Sequence, residues 1–126
     1  MSYSIIIPIY NEKRVLSQLI EKLQILDKSF QIIIVDDGSD DGSIKILKKH
    51  AKRLDIIQNK FNLGKGASII RGIENVSNQN TILIDGDLEI EIDCIPKLIN
   101  EYEKNDYITL IGNRWKKESN NNFELN

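Results

Sequence analysis

"QIIIVDDGSDDGS", residues 31–43, is the stretch whose reading decides the fold. Its first half, Ile32 to Val35, is β-branched and apolar at every position. A strand with one wet face alternates, whereas an unbroken apolar run suits a parallel strand covered on both faces. Its second half is the opposite: Asp36, Asp37, Gly38, Ser39, Asp40, Asp41 and Gly42 are turn formers. A buried strand therefore stops abruptly in a polar loop. Open α/β sheets bind their ligands beyond strand ends of this kind.

Outward from this stretch the same pairing recurs. "SIIIPI" (4–9), "LDIIQ" (54–58), "TILI" (81–84) and "YITLIG" (107–112) read as further strands. Helical periods fill the gaps: Val15, Leu16, Leu19, Ile20, Leu23 and Leu26; then Ile44, Leu47, Ala51 and Leu54. A third stripe is Ala67, Ile70, Ile73 and Val76, and a fourth is Ile95, Leu98, Ile99 and Tyr102. Ser43 and Asp93 suit helix starts, and Pro96 is tolerated in a first turn. The order β-α-β-α-β-α-β-α-β predicts an α/β protein. Its expected architecture is an open, mostly parallel, Rossmann-like sheet with helices on both faces. One domain is expected over 1–117, with 118–126 as a polar, Asn-rich tail.

The bulk numbers exclude several classes. The 126 residues are 40% apolar and 29% charged, which is ordinary for a globular domain. A net charge of −2 leaves no basic footprint for nucleic acid. A lone cysteine, Cys94, permits neither an internal disulfide nor a cysteine zinc site, which suits a reducing cytoplasm. No apolar run approaches a membrane span. The sequon Asn75-Val76-Ser77 has no secretory signal before it and reads as chance.

Each strand end carries an unusual group: Pro8, Tyr10 and Glu12; Asp36 to Ser39; Asn62, Gly64, Lys65 and Gly66; "DGD" at 85–87; Gly112, Asn113 and Arg114. A parallel sheet would bring all of them to one edge. Plainer readings exist for each. Asp36 to Ser39 make an ordinary turn, Lys65 a solvated lysine, Tyr10 a packing aromatic, and His50 and Cys94 bystanders.

"ILIDGDLEIEID", residues 82–93, resists the plain reading. Asp85, Asp87, Glu89, Glu91 and Asp93 alternate with Gly86, Leu88, Ile90 and Ile92. In extended chain they share a face, with neighbours roughly 7 Å apart. Each pair repels by about 0.6 kcal/mol in water and about 2.4 kcal/mol at an effective dielectric near 20. Asp93 can cap a helix and Glu91 can face water. Asp85, Asp87 and Glu89 then remain, an oxygen-donor set suited to Mg²⁺ or Mn²⁺ with a substrate phosphate.

Taken in order, "SIIIPIYNE", "IIIVDDGSDDGS", "NLGKGASIIRGI", "ILIDGDLE" and "LIGNRW" resemble the motifs of family 2 glycosyltransferases of the GT-A fold. The polyprenyl-phosphate mannose and glucose transferase branch is the most similar. The resemblance implies an inverting transfer from GDP-mannose or a UDP-sugar in cell-envelope or polysaccharide biosynthesis. The acceptor it implies is a lipid phosphate or a saccharide. By that resemblance Pro8, Tyr10, Glu12, Val35, Asp37 and Ile84 surround the nucleoside. Asp85, Gly86 and Asp87 match the Asp-X-Asp motif, with Asp87 the catalytic metal ligand and Glu89 completing the shell. Arg114 lies near the donor phosphates, and Lys65 belongs to a motif that faces the same cleft. Gly86 stands where the branch commonly has alanine. Such enzymes continue with an acceptor-binding half, so the chain resembles the donor-binding part. The expected setting is the cytoplasm, at the inner face of the membrane. A fifth strand left without cover would favour a homodimer. Two alternatives are a donor-binding pseudoenzyme and a phospho-receiver domain. The second fits poorly, since the acidic pair of a receiver follows its first strand rather than its second.

Overall fold

A computed structural model describes residues 2–50, 52–87 and 92–105. The expected strand at 107–112, with Glu89, Arg114 and the tail, lies outside the described residues. The chain forms two compact units, 1–89 and 90–126.

The first unit runs β1 (Tyr3–Ile9), α1 (Lys13–Gln24), β2 (Gln31–Asp36), α2 (Ser43–Lys48), β3 (Asp55–Gln58), α3 (Lys65–Ile73) and β4 (Asn80–Leu83). The four strands are parallel, in the order β3-β2-β1-β4. Ile6 pairs with Ile33 and Leu83, and Val35 pairs with Pro8 and Ile57. Alternate residues of β1 and β2 point to opposite faces, yet Ile5, Ile6, Ile7, Ile32, Ile33, Ile34 and Val35 are all buried. Both faces are covered at β1 and β2, as the unbroken run of β2 predicts, whereas the run at 81–84, expected to be covered in the same way, is only partly so: Leu83 in β4 is half exposed.

Ile6, Ile33 and Val35 pack with Ile57 and Val76 on one face. On α1 the buried stripe is Leu16, Leu19, Ile20 and Leu23, four members of the expected period. The chain steps from β1 to β2 to β3, then returns to add β4 on the far side of β1. Right-handed crossovers therefore put α1 and α2 on one face and α3 on the other.

The third helix turns differently from the expected stripe. Ser68 and Gly72 are its buried residues, whereas Ile70 and Ile73 are exposed. The cause is size. A Cβ on Gly72 would sit 2.6 Å from the Ile6 Cγ2, so the helix meets the sheet through its small residues.

In the second unit a 3-10 turn, Ile92–Cys94, leads into α4 (Ile95–Lys104). Asp93 is not the helix cap expected of it. The turn runs straight into α4 through Cys94, which holds the N-cap position with a backbone already helical. Pro96 falls in the first turn, where its missing N–H costs nothing. No described helix is long and apolar enough to cross a membrane.

Candidate functional site

The strand order reverses between β1 and β4, and such a switch point opens a crevice at the carboxyl ends. A cleft of about 320 Å³ lies there. Pro8, Ile9, Tyr10 and Glu12 line it from the β1 end, and Asp85, Gly86 and Asp87 from the β4 end. Asp37, Asn62, Gly64 and Lys65 complete it. Eight of the expected residues thus converge: Pro8, Tyr10, Glu12, Asp37, Lys65, Asp85, Gly86 and Asp87. Val35 and Ile84 are buried and are not among the lining residues. Val35 packs in the core cluster, and the Ile84 amide donates to the Ile6 carbonyl, extending the β1–β4 pairing.

The loops around the cleft are bonded to one another. Asn11 sits in the left-handed region at φ 51, which asparagine tolerates better than most residues. Its amide donates to the Ser39 Oγ at 2.9 Å, and its Oδ1 accepts from the Asp40 amide at 3.0 Å. Asp41 joins two helix starts. It accepts from the Lys13 amide at 3.0 Å and from the Ser43 amide at 2.9 Å. Burial raises the Asp41 carboxyl, but the Ser43 hydroxyl and the Lys13 amide more than offset it, and the net direction is down.

Asp37 is the centre of the loop structure. Its side chain takes bonds from the Asn59 Nδ2 (2.8 Å), the Leu63 amide (2.8 Å) and the Gly64 amide (3.0 Å). Burial raises its carboxyl, but these bonds outweigh burial and hold it below the ordinary value. Asn59 is itself buried. It also donates to the Ser68 Oγ and accepts from Arg71. Gly38 lets the two loops close. At φ 74, a Cβ there would lie 2.4 Å from the Phe61 carbonyl carbon. Asp36 faces the other way. It is fully buried, and among the described residues neither oxygen has a partner at bonding geometry. Burial pushes its carboxyl up, offset in part by the nearby Ser39 hydroxyl and amide.

The remaining carboxylates crowd the cleft. Burial raises the Glu12 carboxyl, and the charges of Asp87 and Asp41 raise it further. The Lys65 ammonium contacts the Asp85 Oδ1 directly. Among the described residues no three acidic, histidine or cysteine side chains converge as a ready metal cage. Asp85 and Asp87 come as a pair, and Glu89 lies outside the described residues. Two carboxylates still fit a magnesium-like ion, which takes one or two of them and completes its shell with water and phosphate. A cation already rests on Asp85, which shows that its oxygen is accessible to one.

Gly86 is required by close approach. A Cβ there would lie 2.5 Å from the Ile9 Cγ2 and 3.3 Å from the Pro8 carbonyl oxygen. Gly86→Ala is therefore expected to cost about 1–3 kcal/mol by overpacking. Ile9→Ala alone should cost about 2–5 kcal/mol. The double variant should lose clearly less than the sum, because truncating Ile9 vacates the space that a methyl group on Gly86 needs. Urea unfolding of the four proteins measures the coupling, and strict additivity would contradict the contact.

The chain matches the glycosyl transferase family 2 profile over residues 4–125. It belongs to that family. A relative from Pseudomonas syringae pv. syringae (strain B728a), an undecaprenyl-phosphate 4-deoxy-4-formamido-L-arabinose transferase, is 37% identical over 110 residues. The match covers 80% of this chain and 32% of the relative. A relative of the same name from Salmonella choleraesuis (strain SC-B67) is 34% identical, covering 76% and 32%. The chain thus spans about a third of the length of these relatives.

Solved structures of glycosyltransferases share the fold. S. aureus TarS 1–349 in complex with UDP-GlcNAc aligns with a TM-score of 0.63 at 26% identity, over 69% of this chain and 27% of that one. The mannosyltransferase PcManGT from Pyrobaculum calidifontis, in complex with GDP-Man and Mn²⁺, aligns at 0.63 with 18% identity, over 68% and 27%. The family 2 assignment and the GT-A fold agree with the resemblance carried by the motifs, and they displace the phospho-receiver alternative.

Sequence reasoning passed over Asn11 and Asn59. Asn11 had a weak signal, an asparagine directly after a strand. Asn59 had none, since its role depends on partners from β2 and α3 that no spacing reveals.

Proposed function

We infer that this family 2 chain binds a nucleoside diphosphate sugar in the cleft between β1 and β4 and serves sugar transfer to a polyprenyl phosphate. The observation that carries this reading is the turn Asp85-Gly86-Asp87 at the switch point, facing Glu12 and Lys65 across one cleft. UDP-GlcNAc in the TarS structure supports a nucleotide-sugar donor. The names of the relatives support an undecaprenyl-type acceptor and so work at a membrane surface, and the cytoplasmic side is proposed with it. The donor domain is proposed as residues 1–117, although the family match itself runs on to residue 125.

Pro8 and Tyr10 offer one wall for the nucleoside, and the loop fixed by Asp37 offers the other. Asp85 and Asp87, with Glu89, would hold a Mg²⁺ or Mn²⁺ ion, which supplies electrostatic stabilisation to the departing diphosphate. Lys65 is placed to meet phosphate oxygens, and Arg114 is proposed to join it. In the transfer, the acceptor oxygen forms a bond to the anomeric carbon. The bond from that carbon to the diphosphate oxygen breaks, and its electron pair leaves with the diphosphate. Inversion follows from attack opposite the leaving group. A phosphate acceptor is already ionised and needs no general base.

A labelled-sugar assay with UDP-GlcNAc, UDP-glucose and GDP-mannose, each with undecaprenyl phosphate, tests the function. Sugar transfer to lipid is the expected result for at least one donor in the complete protein. Donor binding without transfer would instead mark a donor-binding pseudoenzyme.

A further inference from the structure

We propose that Lys65 is a built-in counter-cation of Asp85, which holds the place of the divalent ion until a metal-bound diphosphate arrives and then turns to the diphosphate. This deepens the donor-site reading and rests on it. Four carboxylates line the cleft: Glu12, Asp37, Asp85 and Asp87. Asp37 is satisfied by the Asn59 side chain and two loop amides, which solvate its charge in place of a cation. Of the others, Asp85 is the one that the ammonium of Lys65 contacts.

The pair is built to exchange. Its side chains are 59% and 39% exposed, so water screens it and holds it weakly. The main chain before Lys65 is fixed, because Asp37 grips the amides of Leu63 and Gly64. Lys65 then opens α3. Only its flexible side chain has to move. A lysine suits this role because it is a compact point charge without the fixed fork of arginine. In the empty cleft the ammonium offsets one carboxylate. When a divalent ion takes Asp85, the incoming diphosphate brings the negative charge that the released ammonium needs. Asp85 faces a cation in both states, with no backbone movement.

A permanent structural bridge would behave differently, since removing it would loosen the cleft and weaken every ligand. The test uses Mn²⁺ alone, followed by the electron spin resonance of the free ion, and then UDP at saturating Mn²⁺ by calorimetry. Lys65→Met is expected to bind Mn²⁺ alone about fivefold more tightly, the ceiling for an exposed pair. The same variant should bind UDP with Mn²⁺ about tenfold more weakly, through loss of a charge-assisted contact. In an Asp85→Asn background the gain for Mn²⁺ alone should vanish, because the competition acts through that carboxylate. Unchanged or weaker binding of Mn²⁺ alone by Lys65→Met would overturn the proposal, as would a gain that persists with Asp85→Asn. Unaltered UDP binding would overturn the hand-over. Wild-type protein that takes up no Mn²⁺ even with UDP would overturn the underlying site reading as well.

Discussion

Asp37→Ala is expected to lower unfolding stability by about 4 kcal/mol or more. The carboxylate accepts three hydrogen bonds, from Asn59, Leu63 and Gly64, and is 4% exposed, so water does not replace them readily. Hydrogen bonds to a charged group contribute about 1.5–3 kcal/mol each, and the variant also leaves buried donors unsatisfied. Against a total of roughly 5–15 kcal/mol the loss is large. The same change should weaken the free nucleoside and its diphosphate alike, since Asn62, Gly64 and Lys65 all hang on this loop. Urea unfolding measures the first effect and calorimetry the second. A stability loss below about 1 kcal/mol would contradict the clamp.

The clamp also fixes a pH dependence. The Asp37 carboxyl is lower in the folded protein, so its stabilisation is full above the unfolded value near 4 and is lost as pH falls through the folded value. Its neighbour Asp36 has the opposite sign. Its raised carboxyl contributes fully below the unfolded value, and that contribution is lost as pH rises through the folded value. Asp37→Ala should therefore flatten the acid limb of the stability curve and keep most of the slope above pH 4, since burial, ahead of the Asp37 charge, is the first cause that raises Asp36.

Asp87→Ala is expected to weaken UDP and GDP in the presence of Mn²⁺ by about 100-fold, or roughly 2.7 kcal/mol, while uridine and guanosine bind as before. The carboxylate serves the diphosphate end of the cleft, and the nucleosides lack the group that needs it. A second readout is independent of ligand. Asp87 is one of the charges that raise the Glu12 carboxyl, so its removal should bring Glu12 down in an NMR titration. Equal losses for nucleoside and diphosphate would contradict this division of labour.

Much of the fold was legible because β1 and β2 are buried on both faces and so lack alternation, while β3 and β4 are short apolar runs between turn signals. The four described strands lie where the apolar runs put them, and α1 buries its predicted stripe. The rotation of α3 was not legible. Apolar periodicity selects Ile70 and Ile73, but the helix is seated by its small residues Ser68 and Gly72, the second through its fit against Ile6. The convergence of strand-end clusters on one cleft followed from parallel topology alone. The division of roles inside it did not. Asp37 read as a base contact or a turn residue, and besides lining the cleft it clamps two loops together. The contact of Lys65 with Asp85 joins residues 20 apart in sequence and depends on where α3 and β4 fall in space. The alternation through Glu89 and Glu91 gave the metal reading its first motive, and within the described residues Asp85 and Asp87 carry it.

The central claim is that the cleft takes a diphosphate through a divalent cation. Thermal unfolding with UDP and GDP, in Mn²⁺ and in EDTA, tests it most directly. Ligand at 100 times its dissociation constant stabilises a fold by about 2.7 kcal/mol. A clear upward shift with at least one nucleotide in Mn²⁺ and almost none in EDTA is the predicted result. An equal shift in both, or none in either, would contradict the account.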